Sequence, residues 1–314
     1  MVSIEKINQA HDRINSFIHR TPIMTSSSLN SVSNAKLFFK CENFQKAGSF
    51  KIRGASNAVG LLTRDDIARG IATTSSGNHG AALSMAGLNA GASVTVVMPN
   101  NSPKIKTDNV KRNSGKIVWC EPNQKSREET LKLLIKNENR TIVHPYNDER
   151  IIAGQGTVAK EILEEIYDLD AIVSPISGGG LISGILCFAK QLRSNIKVYG
   201  AEPSEADDAY RSIKEGKIVS NKSTNTICDG LRAQIGTITF PIVSSMCDGI
   251  LRVDENEIIE SMKMIWDRMK IIAEPSSAIT LASVLKNKAL FENKKVGLVL
   301  SGGNSDLSEL PWDG

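Results

Sequence analysis

Residues 171–183 read Ala-Ile-Val-Ser-Pro-Ile-Ser-Gly-Gly-Gly-Leu-Ile-Ser, and this run decides the fold. The stretch 171–176 is short, largely apolar and free of charge, as expected of a strand buried on both faces of a parallel sheet. It enters Ser177-Gly178-Gly179-Gly180, and a helix is predicted to start near Ile182. The same order recurs outward in both directions. Short β-branched or apolar runs at 35–40, 70–74, 92–98, 116–119, 141–144, 198–201 and 296–300 predict strands. Amphipathic or small-residue stretches at 52–62, 81–88, 103–113, 126–136, 157–166 and 258–269 predict helices. This alternation implies an α/β chain with open, mostly parallel sheets covered by helices on both faces. Such sheets hold ligands at the carboxyl ends of their strands.

A chain of 314 residues buries a large core and divides into two lobes. No low-complexity linker separates them, so the chain is expected to cross between lobes more than once. The net charge of +4 is small and its signs are interspersed, which argues against a nucleic-acid partner. The N-terminal run MVSIEKINQAHDRINSF has the pattern of neither a signal peptide nor a transit peptide. The longest apolar stretch, 171–189, is broken by Pro175 and glycines, so no membrane span is expected. The five cysteines, Cys41, Cys120, Cys187, Cys228 and Cys247, are scattered without a C-x-x-C, which predicts a reduced, cytoplasmic chain rather than a disulfide framework.

Four places carry chemistry. In KAGSFKIRG (46–54), Lys51 is flanked by Phe50 and Ile52, precedes Arg53 and stands at a predicted helix start. Apolar surroundings, a nearby cation and a helix N-terminus all favour the neutral amine, so Lys51 is a candidate Schiff-base nucleophile; the alternative is an ordinary surface lysine. Ser177 to Leu181 form a glycine-rich helix start whose backbone N–H groups suit a phosphate. Its spacing is neither G-x-G-x-x-G nor a P-loop, so a monoester phosphate fits better than a dinucleotide; the alternative is a turn needed for packing. Ser75-Ser76-Gly77-Asn78-His79-Gly80 offers hydroxyls and an amide to a carboxylate or phenolate, or simply caps a helix. Ser301-Gly302-Gly303-Asn304 ends a buried strand with a hydroxyl that can bond a ring nitrogen. Together these are the anchors of pyridoxal 5′-phosphate, an electron-sink cofactor.

On the motifs CENFQKAGSFKIRGA (41–55), SSGNHG (75–80), IAGQGT (152–157), SGGGLISG (177–184), AEPSEADDA (201–209), TNTICDGLRA (224–233), EPSSA (274–278) and SGGNSDL (301–307), the chain resembles the fold type II, tryptophan synthase β-like pyridoxal-phosphate enzymes. Within them it is most similar to the serine racemase and serine/threonine dehydratase group. The resemblance implies a large domain (1–65 and 146–314) with a small domain (66–145) inserted in it, and the cofactor between the two. It gives Lys51 the Schiff base and the α-proton on one face, and Ser76 the proton on the other. It gives Asn78 the ring hydroxyl, Ser177, Gly178, Gly179, Gly180 and Leu181 the phosphate, and Ser301 the ring nitrogen. Substrate would lie along Ser75, Ser76, Gly77, Asn78 and His79.

The resemblance also implies a divalent cation, Mg²⁺ or Ca²⁺, on Glu202, the carbonyl of Ala206, and Asp208. Hard oxygen ligands suit either ion. An ATP effector site is matched only in part. Ser26, Ser27, Ser28, Lys46, Lys270 and Asn304 correspond, whereas Ala47, Ala81 and Asn113 stand where Thr, Gln and Tyr are expected. The implied activity is racemisation of serine with β-elimination of water to pyruvate and ammonia, in a cytoplasmic homodimer acting on small hydroxy amino acids. The alternatives are a dehydratase of threonine, serine or 3-hydroxyaspartate without racemase activity and, from another class, a non-catalytic metabolite-binding α/β protein.

Overall fold

In the computed structural model, which describes residues 1–312, the strands along the chain are β1 (Ile23–Met24), β2 (Lys36–Cys41), β3 (Ile71–Thr74), β4 (Val94–Pro99), β5 (Lys116–Cys120), β6 (Thr141–Ile142), β7 (Ala171–Pro175), β8 (Lys197–Pro203), β9 (Gly249–Val253) and β10 (Lys295–Leu300). They form two sheets, ordered β1-β2-β10-β7-β8-β9 and β5-β4-β3-β6. Every pairing is parallel except β1 on β2. The smaller sheet is built wholly from the segment 71–142, while the larger draws strands from before and after it. The chain thus leaves the large sheet after β2 and returns through the helix Glu149–Glu165 to β7.

Both faces of the large sheet are covered, as the apolar strands require. Along β10 the alternation is direct. Val296, Leu298 and Leu300 point into one core with Phe39, Val173 and Ala201, covered by helices carrying Ile258, Met262, Ile279 and Leu281. Val299 faces the other way with Ile172 and Val198, against Ile7, Ile162, Ile182 and Ile185. Period-two side-chain direction in a strand sets this division. A third core joins the small sheet (Ile71, Val94, Val96) to Leu83 and Val110, and also to Ile52, Ala55 and Val59. The helix led by Lys51 therefore packs on the small sheet's core, although it lies before that sheet in sequence.

Several boundaries differ from the sequence expectation. The helix predicted at 157–166 begins at Glu149, where the Asp148 side chain accepts the backbone N–H of Arg150. It is buried along almost its whole length through Leu163, so an amphipathic stripe does not mark its first turns. The helix after Gly179 starts at Gly180 rather than Ile182. The strand β9 was not expected; it pairs only with β8, at the sheet edge, and is mostly half-buried. All five cysteines are free. Among the described residues no helix is long and apolar enough to cross a membrane.

Candidate active site

Lys51 is the first residue of the helix Lys51–Val59. Its Nζ donates to the carbonyl of Pro145 at 3.4 Å and lies 5.0 Å from the centroid of the Phe50 ring. Burial pushes its pKa down to about 8, and Glu274 opposes the shift. Arg53, expected to help, is committed elsewhere. Its guanidinium donates to Glu42 and Glu161 through four hydrogen bonds of 2.7–2.8 Å. Lys40 donates to the same Glu161 at 2.6 Å. Burial rather than a neighbouring cation therefore makes the Lys51 amine available, because the charged form loses its hydration.

The carbonyl that holds Lys51 leads into Tyr146, which joins the lysine to the glycine turn. A β-carbon on Gly178 would fall 2.4 Å from the Tyr146 ring, and one on Gly180 would fall 2.9 Å from the Tyr146 Cβ. Gly179 takes φ +88° and precedes the helix Gly180–Leu192, which has no side-chain cap. Tight packing is thus one reason for the glycines. The uncapped backbone N–H groups at the helix head are free for an anion. The Ser177 hydroxyl is occupied, accepting from Ala233 N and donating to Ala233 O, both at 3.0 Å. Leu181 is buried in the core. Both residues can reach an anion only through their backbone N–H.

Ser301 directly follows β10 and is buried. Its carbonyl accepts from Phe50 N at 3.0 Å, one residue before Lys51. Its hydroxyl lies 3.2 Å from the Ser277 hydroxyl and 3.3 Å from the carbonyl of Ser276.

In the 75–80 segment, Ser75 Oγ accepts from the N–H groups of Gly77 (3.1 Å) and Gly80 (3.0 Å), which is a capping role. Ser76 is half-buried. Asn78 starts the helix Asn78–Ala90. Its Nδ2 donates to Glu274 Oε1 at 2.8 Å, and its Oδ1 accepts from Asn304 Nδ2 at 2.9 Å. This leaves the second N–H of Asn78 for another oxygen. His79 is buried, and its pKa is pushed down to about 3, first by burial and then by the charge of Lys51. An imidazole with this pKa stays neutral near pH 7.

These features fit the expected cofactor: a half-buried amine of lowered pKa for its aldehyde, an uncapped helix head for its phosphate, and a hydroxyl and an amide for its ring. Three further residues had not been singled out. Buried Lys106 and Glu274 form a charge cluster with the half-buried Asp229 against the 75–78 turn. Pro275 marks a helix start and so sets Glu274 just before it; Lys106 carries no such signal.

Glu202 and Asp208 are both buried. Glu202 accepts from the N–H groups of Ala209 and Tyr210, each at 2.9 Å. Asp208 Oδ2 accepts from Ile235 N at 2.7 Å, while its Oδ1 is buried without a partner. Burial, then the charge of Asp208, raises the Glu202 pKa well above the usual range, and burial pushes Asp208 up to about 6. Asp207 is turned away onto Arg211 and Arg252. Among the described residues no three His, Cys, Asp or Glu side chains gather as a metal cluster. The two carboxylates, with an orphaned oxygen and Ala206 buried in the intervening turn, nonetheless suit one hard cation completed by a carbonyl and water.

The residues matched to an effector site fall into two groups. Ser26 caps the helix Ser27–Ser33, and the carbonyl of Ser28 accepts from Arg268, near Lys270, which pairs with Asp267 at 3.3 Å. Asn304 instead bonds the carbonyl of Ala47 next to Lys46, as well as Asn78 and Asn109, so its amide is already used inside the protein.

Comparison with known proteins gives the family of the chain. Residues 14–302 match the family model described as pyridoxal-phosphate dependent enzyme. The chain is 51% identical to a serine racemase of Arabidopsis thaliana, over 99% of this chain and 95% of the relative. It is 47% identical to a beta-hydroxyaspartate dehydratase of Paracoccus denitrificans, over 98% of each. The solved structure of maize serine racemase superposes with a TM-score of 0.96 at 44% identity, covering 98% of this chain and 95% of that one.

Proposed function

The chain belongs to the pyridoxal-phosphate dependent enzymes, and from that premise we propose that it interconverts L- and D-serine and also eliminates water from serine to give pyruvate and ammonia. The observation that carries this is the half-buried Lys51 amine of lowered pKa, held on the carbonyl of Pro145. Bound there, pyridoxal phosphate supplies the electron sink that makes an amino acid's α-proton removable. Lys51 Nζ takes that proton from one face of the α-carbon. Ser76 Oγ returns a proton to the opposite face, which inverts the centre. Loss of the β-hydroxyl after the same proton removal leads to pyruvate and ammonia, so one step feeds both products. Asn78 orients the ring through its free N–H, the N–H groups of 177–181 bind the phosphate, and Ser301 bonds the ring nitrogen. Ser75, Gly77 and His79 complete the wall along which the substrate carboxylate lies. Glu202, Ala206 and Asp208 hold Mg²⁺ or Ca²⁺. The enzyme is a cytoplasmic homodimer with 66–145 as a small domain inserted in a large one; the separate smaller sheet and the family resemblance support this division.

A second reading, dehydration of 3-hydroxyaspartate, is supported by the 47% identity to a beta-hydroxyaspartate dehydratase. The deciding experiment incubates the purified holoenzyme with L-serine and, separately, with 3-hydroxyaspartate, and measures D-serine, pyruvate and oxaloacetate. D-serine from L-serine is expected. Oxaloacetate without D-serine would establish the second reading, and a colourless protein inert to borohydride would remove both.

A further inference from the structure

Lys106 lies on the helix Lys104–Arg112, which packs beside the small sheet, yet its side chain is buried. It runs directly under Gly77: a β-carbon there would fall 2.3 Å from Lys106 Cδ. Its ammonium ends in a hydrogen-bonded ion pair with Asp229 and lies 3.8 Å from Glu274 Oε2. Both acids belong to the other side of the cleft. Asp229 sits in the turn Asp229–Leu231, and Glu274 immediately precedes the helix Pro275–Lys286 that covers the large sheet. Glu274 in turn accepts from Asn78. One side chain thus supports the backbone between Ser76 and Asn78 and ties it across the cleft to an acid that orients Asn78.

We propose that Lys106 is a positioning residue which fixes the 75–78 turn, and with it Ser76 and Asn78, by bracing Gly77 and holding the Asp229–Glu274 pair. The consequence for racemisation rests on the function proposed above; the bracing of the turn does not. Burial would by itself push the Lys106 pKa down, but Asp229 and then Glu274 carry it above its ordinary value, so the ammonium stays charged. Burial raises the Glu274 pKa, and Lys106 is the strongest influence opposing that rise. Without the lysine, Glu274 gains a proton more readily and becomes a poorer acceptor for the Asn78 amide. The turn then loses both its floor and the anchor at its end.

Lys106→Met removes the charge while keeping most of the bulk under Gly77; Lys106→Arg keeps the charge. The primary test is hydrogen exchange of the backbone amides of 75–80 in the holoenzyme. Exchange in Lys106→Met is expected to rise at least tenfold, with Lys106→Arg close to wild type. Unchanged exchange in Lys106→Met would overturn the proposal, whatever the activity. The second test is the ratio of D-serine to pyruvate formed from L-serine, which is expected to fall at least threefold in Lys106→Met because only racemisation needs both faces. An equal loss of both products would reduce Lys106 to a structural role and also overturn it. If Lys106→Met does not fold, Asp229→Asn is measured instead and must speed exchange over 75–80. A wild-type enzyme that makes no D-serine would remove the racemase reading, and the exchange result would still decide whether Lys106 braces the turn.

Discussion

The ring of Tyr146 stands where a side chain on Gly178 would begin, with its nearest carbon 2.4 Å from the position of a β-carbon there. The residue before Tyr146 supplies the carbonyl that holds Lys51. A methyl group added at Gly178 would therefore disturb the phosphate turn and the lysine's support together. Gly178→Ala is expected to destabilise the protein by about 1–3 kcal/mol, the usual cost of overpacking. It should also weaken cofactor retention by more than that loss alone explains. Thermal melts with and without pyridoxal phosphate check both: the gap between the two melts should shrink, and an unchanged gap would show that the turn tolerates the methyl.

Lys51 gives a pH prediction whose sign follows from its lowered pKa of about 8. Below that pH the amine is mostly protonated and cannot attack an aldehyde; above it the free amine predominates. Capture of pyridoxal phosphate by the apoenzyme, followed by absorbance, should accelerate as pH rises through about 8 and then level. A rate still climbing towards pH 10.5, as for an ordinary exposed lysine, would contradict the burial argument. Lys51→Ala should abolish capture and turnover alike.

The fold was legible because its strands are short apolar runs between glycine-rich turns, a pattern that local composition records. The site was legible where chemistry concentrates in a short motif, as at Lys51, 75–80, 177–181 and 301–304. What was not legible is held by long-range contact. Arg53 stands two residues from Lys51, yet its charge is spent on Glu42 and Glu161, the second of which lies over a hundred residues away in the chain. Lys106 looks like any lysine on an amphipathic helix, and only the approach of the large sheet's helix Pro275–Lys286 brings Glu274 to it. The buried first turns of Glu149–Glu165 have no polar face to reveal their period.

The Arg53 cluster predicts stability rather than chemistry. Glu161 is buried and accepts from both Arg53 and Lys40. Glu161→Ala leaves two cations short of a partner in a dry interior, which costs about 3–5 kcal/mol in comparable cases. Chemical denaturation should report a loss in that range, with the melting temperature falling in step. A loss below about 1 kcal/mol would mean that water reaches the cluster and hydrates the freed charges.

Cation removal tests Glu202 and Asp208. Two buried carboxylates that raise each other's cost of ionisation are relieved by a bound divalent ion. Chelation should therefore lower the melting temperature by several degrees, and Mg²⁺ or Ca²⁺ should restore it. In Asp208→Asn the melting temperature should no longer respond to either ion. A response that persists in Asp208→Asn would move the cation to another part of the molecule.

Ser76 separates the two products most sharply. Elimination from L-serine needs the α-proton removed from one face only, the face assigned to Lys51. Racemisation, and any turnover of D-serine, needs a proton exchanged on the other face as well. Ser76 is half-buried beside Gly77, whereas the neighbouring Ser75 hydroxyl is spent on capping and cannot readily replace it. Ser76→Ala should thus lower D-serine formation from L-serine by about 10²-fold or more, the usual scale for loss of a positioned acid–base group. Pyruvate formation from L-serine should fall by less than about tenfold, while pyruvate formation from D-serine should fall as far as racemisation does. Equal losses in all three assays would leave Ser76 as a binding residue and return the second proton to some other group in the cleft.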